Sequence, residues 1–277
     1  MKGKTEFLKE KARWVWVETL KAHARVPESR IASSLSPIEL LVVLYYGKII
    51  RLRPDNPLDE ARDRLIVSKG HGGIALYPIL SDLGFFPAGT LEKFGSPESF
   101  LTAIPDAGIP GIETINGSLG HGLGVACGIA LALKEKKINR KVYVLCGDGE
   151  LNEGAMWEAV MFAAAHRLGN LVLIVDDNNR SMLGNQDEIM ALRPLEEKFA
   201  AFGWNATRVN GHNINKLYQT FSRVSQDKSS YPKAVVAETI KGRGIPELEK
   251  DPLCHVKSLT KEQIDGIIER HHGKSKT

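Results

Sequence analysis

Short apolar runs alternate along the chain with longer stretches of helical periodicity. Residues 65–68, 141–146, 171–175 and 233–238 are compact and rich in Val, Ile and Leu, the mark of buried strands, and 204–209 reads as a fifth. Residues 7–24 put Leu8, Ala12, Val15, Thr19 and Ala22 near one helix face. Trp14 and Trp16 are large for a solvent face, so part of that helix should pack on the rest. Residues 38–46 are apolar all round and predict a buried helix, with Ser36 as N-cap, Pro37 in the first turn and Glu39 favouring the dipole. Further helices are expected over 74–83, over an Ala/Gly-rich stretch ending at Lys134, and over 152–168, 195–202 and 214–224. Residues 85–111, with prolines at 87, 97, 105 and 110, show neither period, and an irregular segment that long is often functional. Strands alternating with helices predict an α/β fold, three layers deep, with a mainly parallel sheet.

Residues 141–180 form the central unit: strand, helix, strand. The first strand ends in Gly147-Asp148-Gly149 and the second runs into Asp176-Asp177-Asn178-Asn179. Such a unit makes the strands parallel and the crossover right-handed, so both polar clusters fall at strand carboxyl ends, where open α/β sheets bind ligands. Glycines flanking Asp148 let backbone approach a bulky anion. Asp148 and Asn178 offer two hard oxygen ligands, which with phosphate oxygens suit an octahedral Mg²⁺, so a metal-bridged diphosphate is the expected ligand. Either cluster alone also fits an ordinary turn. Together, at this spacing, they favour a site.

Two other stretches carry chemistry. Lys69-Gly70-His71-Gly72-Gly73 lies between a strand and a helix, where His71 can contact an anion or simply bond a carbonyl in a loop. The run from Glu113 to Gly122 is rich in small residues, which permit close backbone approach or tight helix–sheet packing.

These motifs resemble the transketolase family. The GDG of 147–149, followed by about thirty residues and Asn178-Asn179, is similar to the thiamine diphosphate motif, and the chain around it resembles the N-terminal subunit of a split transketolase. The resemblance implies a thiamine diphosphate-binding fold over 1–260, with 261–277 a helix end and flexible tail. It implies that Asp148, Asn178 and the backbone carbonyl of Arg180 ligate Mg²⁺ or Ca²⁺. Gly147, Asp148, Gly149, Glu150, His71, Gly117, Ser118 and Leu119 would hold the cofactor. His255, on the loop after "TIKGRG", is carried over as the proton-transfer candidate beside the thiazolium, though a surface histidine fits the sequence too. The family usually has glycine after it, and here Val256 stands there. Glu153 matches an acid that meets its counterparts across the family's dimer interface. Candidate catalytic residues are therefore His255, Arg30 and Glu153.

Two departures bear on substrate. "GHPGGSLS" is replaced by "SRIASSLS", which puts Arg30 where a histidine is expected, and Ala103-Ile104-Pro105 puts Ile104 at a second lost histidine. Arginine presents a planar charged fork to phosphate, sulfonate or carboxylate, whereas isoleucine cannot hydrogen-bond. The expectation is a donor that lacks the hydroxyl the family's histidine addresses, or is otherwise not a common ketose phosphate, with an acetyl-type unit better suited to an apolar contact. The pyrimidine-binding domain of the family is absent from this chain, so a separate C-terminal subunit is expected, in an α2β2 assembly. Other small-molecule partners would be sugars or ketones. The α subunit of a 2-oxo acid dehydrogenase, and a non-catalytic scaffold, stay open as alternatives.

Composition changes little. A net charge of +4 over 277 residues does not call for nucleic acid. No apolar run reaches membrane-spanning length, and the first residues lack a signal-peptide core. Cys127, Cys146 and Cys254 have no CxxC spacing, and Cys127 and Cys146, in apolar runs, read as buried thiols. Cytoplasm is the default expectation. His271-His272 has no partner ligands at zinc spacing.

Overall fold

The computed structural model describes residues 2–273. In chain order the elements are α1 (Lys2–Arg25), α2 (Ile31–Leu35), α3 (Ile38–Tyr46), β1 (Arg64–Val67), α4 (Leu76–Asp82), α5 (Gly122–Glu135), β2 (Val142–Gly147), α6 (Gly154–Ala165), β3 (Leu171–Asp177), α7 (Gln186–Ile189), α8 (Leu195–Ala201), β4 (Asn205–Asn210), α9 (Ile214–Gln226), β5 (Lys233–Glu238), α10 (Pro246–Glu249) and α11 (Lys261–Gly273). Among the described residues the strands form one sheet, ordered β1-β2-β3-β5-β4 and parallel throughout.

The pleat explains why the strand runs read as continuously apolar. Tyr143, Leu145, Val172, Ile174 and Val235 face one core, with residues of α1, α3 and α9. Val144, Cys146, Leu173, Val175 and Val236 face the other, with residues of α5, α6 and α8. Both faces are covered, as parallel sheets require, and each large side chain contributes about 1.5–3 kcal/mol on burial. The three-layer expectation holds. So does the buried α3, whose residues are buried apart from Glu39. In α1 the expected face is buried at Leu8, Val15, Thr19 and Ala22, and Trp16 joins it.

Several boundaries differ for local reasons. Residues 70–75 and 149–152 make tight 3-10 turns before α4 and α6, so both helices start later than periodicity suggests. β3 runs two residues further, through Asp176 and Asp177, because each carboxylate finds cations. Ser36 does not cap α3. Its hydroxyl instead donates to the buried Asp176 carboxylate at 2.6 Å, a charge-assisted bond that turns the side chain away from the helix N–H groups. α11 runs on to Gly273, and His271 stacks on Trp16 with ring centroids 4.7 Å apart, in place of the disordered end that the polar sequence predicts. The last four residues of that expected tail lie outside the described residues.

Candidate functional site

β2 and β3 pair with Gly147 opposite Asp176, so the glycine–aspartate turn and the Asn178 turn meet at one carboxyl edge. Asp148 knots them. Its Oδ1 accepts from Gly149 N at 2.9 Å and its Oδ2 from Asn179 N at 2.5 Å. Asn179 supplies the turn by taking φ of +55°, a left-handed conformation that asparagine tolerates. Asn178 Oδ1 accepts from Arg180 N at 3.1 Å, and Arg180 offers its carbonyl to Lys241 Nζ at 3.3 Å. The three expected metal ligands therefore lie on one short stretch of the edge.

Electrostatics here favour a cation. Asp176 and Asp177 leave β3 on opposite faces, beside Asp148. Asp176 is fully buried with Lys69, Ser36 and Thr239 as partners. Burial alone would raise its pKa, but the Lys69 ammonium holds it below the usual carboxylate value. Asp177 pairs with Arg193 and Arg208. Among the described residues the one ion-pair partner of Asp148 is Arg193, at 3.7 Å, and burial followed by the charges of Asp176 and Asp177 pushes Asp148 up to about 7. A divalent cation would supply the missing charge. Among the described residues no cluster of three His, Cys, Asp or Glu could hold a metal alone. The set here is instead one carboxylate, one amide and one carbonyl, which suits a hard cation that also takes phosphate oxygens. Gln186 Oε1 is buried without a partner, 3.5 Å from where a Cβ on Gly149 would stand, and so leaves a free acceptor beside the GDG turn. These residues fit a metal–diphosphate group.

Histidines lie beside this edge. The rings of His71 and His255 meet edge to face, 5.2 Å between centroids. His255 Nδ1 lies 2.8 Å from Lys241 Nζ and 3.3 Å from Ser33 Oγ. Burial, then the Lys241 charge, lowers His255 to about 3, and burial and Arg30 lower His71. Lys241 itself is brought down to about 8 by burial. Arg30 thus acts on both imidazoles. Ile104 is close as well: a Cβ on Gly70 would stand 3.0 Å from its Cγ2. Gly70 also lies under the Asn116 carbonyl, where a Cβ would collide, so the 113–122 loop is pressed onto the His71 turn.

Glu150 ties this loop down. One oxygen accepts from Ser68 Oγ and from Gly120 N, the latter at 3.0 Å, while the other is buried without a partner. Its chain contacts make it a positioning residue for β1, the 117–120 turn and the GDG turn. Gly120 takes φ of +88° and passes 2.8 Å, from its would-be Cβ, over Glu153 Cβ. Gly117, Ser118 and Leu119 are exposed on that turn, and Glu153 is exposed beside it. Lys69, Lys241, Ser33 and Arg193 have no role that sequence reasoning assigns. The signal for the two lysines is their place inside the "SKGHG" and "TIKGRG" motifs.

A parallel sheet whose carboxyl edge gathers a glycine-flanked acid, an asparagine turn and two histidines is that of a diphosphate-cofactor-binding α/β domain. The chain belongs to the family described as transketolase, thiamine diphosphate binding domain, whose model matches residues 30–275. It is 36% identical over 251 residues to the 6-deoxy-6-sulfo-D-fructose transketolase subunit SqwG of a Clostridium strain, covering 90% of each chain. It is 36% identical to one of the subunits of apulose-4-phosphate transketolase from Phocaeicola vulgatus, covering 86% of this chain and 84% of that one. Among solved structures, the transketolase of Campylobacter jejuni superposes with a TM-score of 0.89 at 29% identity, covering 96% of this chain and 43% of that chain. The chain therefore spans under half the length of that transketolase. Among the described residues no helix is long and apolar enough to cross a membrane.

Proposed function

We propose that the chain is the N-terminal subunit of a two-subunit, thiamine diphosphate- and Mg²⁺-dependent transketolase-type enzyme. It would transfer a two-carbon ketol or acetyl-type unit from a ketose-like donor to an aldehyde. The observation that carries this reading is the meeting of Asp148, Asn178 and the Arg180 carbonyl at one strand edge, with the His71–His255 pair alongside.

When bound, thiamine diphosphate supplies a carbon nucleophile and an electron sink. The residues of this chain bind and orient. Asp148, Asn178 and the Arg180 carbonyl would hold the metal. His71 would contact the diphosphate, and the exposed turn Gly117–Leu119 would line the cofactor's flank. Lys241 donates to His255 Nδ1, which leaves Nε2–H as the group that can donate to the donor substrate. Arg30 would address an anionic or polar end of the donor, and Ile104 would give the two-carbon unit an apolar contact.

A separate C-terminal subunit would complete the site. Two features support it: the similarity to relatives that are themselves named as subunits, and the exposed apolar side chains around the site. Ile115 is 69% exposed and Leu119 40%, while Val125, Met161 and Phe162 are exposed on the packed pair α5 and α6. Exposed apolar side chains on the 113–122 loop, α5 and α6 suit a surface that a partner subunit would cover.

The test is reconstitution of the chain with a candidate pyrimidine-domain subunit. The expected result is a heteromeric complex whose ketol transfer needs thiamine diphosphate and Mg²⁺ and is lost in Asp148→Ala. Activity indifferent to both cofactor and cation would overturn the reading. A complex that forms but binds no thiamine diphosphate would mark the chain as a scaffold instead.

A further inference from the structure

We infer a second ligand site at the opposite, amino-terminal edge of the sheet, for an organic phosphate of nucleoside monophosphate size. A cleft of about 770 Å³ opens there between the start of β2, the end of α3 and the loop that follows it. At about 3.3 Å per residue, the five steps from Tyr143 to Asp148 put it roughly 16 Å from the carboxyl edge. Its volume falls within the roughly 300–1,000 Å³ of small-molecule sites. The inference does not rest on the proposed transketolase function.

Charge in the cleft is one-sided. Lys48, Arg51, Arg140 and Lys141 line it against a single carboxylate, Asp63. That carboxylate is already engaged by backbone: Oδ2 accepts from Arg51 N at 2.9 Å and Oδ1 from Lys141 N at 2.8 Å. Among the described residues the Lys48 ammonium and the Arg51 guanidinium have no hydrogen-bond or ion-pair partner. Arg140 and Lys141 donate to carbonyl oxygens, of Ala61, Asn139 and Asp227, and Lys141 also feels the carboxylates of Asp227 and Asp63, so the cations of the cleft still outnumber its acids. The mainly positive rim continues past Arg140 and Lys141 into a neighbouring hollow edged by Lys137, Arg167 and Lys228, with Asp227 its one carboxylate.

A second observation is independent of charge. Tyr143 is 1% exposed and lines the cleft, yet its hydroxyl has no hydrogen-bond partner. A buried unpaired hydroxyl is unfavourable unless something else meets it. The remaining wall is largely aromatic and aliphatic, with Tyr45, Tyr46, Phe7 and Leu52. An inorganic anion would fill only a corner of such a space. A phosphate head on the cations with a ring against the tyrosines uses both halves, and Tyr143 can donate to it.

Calorimetric titration of the full chain with AMP, adenosine and inorganic phosphate, in saturating thiamine diphosphate and Mg²⁺, tests this. Each titration is repeated in Asp148→Asn, so that the two edges are read apart. AMP is expected to saturate one site in both proteins, at least tenfold tighter than adenosine or phosphate. Arg51→Ala and Lys48→Ala, both at exposed positions, should each weaken it at least fivefold. Tyr143→Phe should weaken it about threefold without lowering the melting temperature of the free chain. No saturable AMP binding, AMP binding untouched by Arg51→Ala, or phosphate binding as tightly as AMP would each overturn the inference. A Tyr143→Phe chain that melts earlier would remove the tyrosine from the site.

Discussion

Lys241 Nζ stands 2.8 Å from His255 Nδ1, and its other partner is the Arg180 carbonyl at 3.3 Å. One ammonium therefore links a candidate metal ligand to the candidate proton-transfer residue. The bond also fixes the imidazole: an ammonium only donates, so Nδ1 accepts and the proton sits on Nε2. With burial and Lys241 together lowering His255 to about 3, the ring is neutral across the physiological range. Nitrogen-15 spectra of the histidines should show one ring, lost in His255→Gln, as the Nε2–H tautomer with no titration above about pH 5. In Lys241→Met that ring should titrate at higher pH. A charged His255 at pH 6 in the parent chain would contradict the geometry.

Asp148→Asn keeps the shape of the turn while removing a charge from a crowded acidic edge. One of its two accepted backbone bonds is lost, so stability should move by less than about 2 kcal/mol. The Mg²⁺-dependent rise in melting temperature in the presence of thiamine diphosphate should disappear. If that rise survives at full size, Asp148 is not the metal ligand.

Glu150→Ala removes the acceptor shared by Ser68 and Gly120. Two buried donors are then stranded, and a loss of about 2–4 kcal/mol is expected by urea denaturation. Glu150→Gln keeps an acceptor there and should lose less than half as much. Equal losses would mean that the carboxylate charge, not the hydrogen bonding, holds the loop.

Donor selectivity should follow Arg30 and Ile104. In the reconstituted enzyme Arg30→Met is expected to raise KM for an anionic donor about tenfold with kcat little changed, the pattern of lost uniform binding. Ile104→His should favour ketoses whose transferred unit bears a hydroxyl over acetyl-type donors. A ratio of kcat/KM unmoved by Ile104→His would take that residue out of the donor pocket.

His23 gives the chain a pH dependence away from the site. It is buried, its Nδ1 lies 2.8 Å from Ser29 Oγ, and its Nε2 accepts from Leu259 N at 3.2 Å. Burial lowers it from 6.5 to about 4, below its value in the unfolded chain. As pH falls through that window the unfolded chain takes up a proton first, so this contribution is full above about 6.5 and is lost toward pH 4. The expected loss is about 2–3 kcal/mol. Urea melts at pH 7.5 and 4.5 should show a steeper decline for the parent than for His23→Gln, and parallel declines would rule His23 out.

Legibility varies by residue for physical reasons. β5 matches its expected span, 233–238, because a strand buried on both faces leaves an unbroken apolar run. The Asp148 and Asn178 turns are readable because glycine and asparagine mark backbone that must bend. Ser36 reads as a cap because its true acceptor, Asp176, is 140 residues away, and local rules see only neighbours. Sequence distance likewise hides Lys69 and Arg193, whose partners are set by tertiary packing. Glu150 is legible as part of the motif but not in direction: nothing in the order of residues says that its carboxylate faces Ser68 and Gly120.

The adjacent acids that close β3 share a sequence step but not an environment: one turns to Lys69, the other to Arg193 and Arg208. Alternation along an extended backbone thus sorts neighbouring charges into separate compartments. Sliding that strand by a single position would hand each acid the other's cations and turn its aliphatic residues inside out at once. The alignment of the sheet and the polarity of its ligand edge are for that reason one specification, held by the same hydrogen-bond ladder.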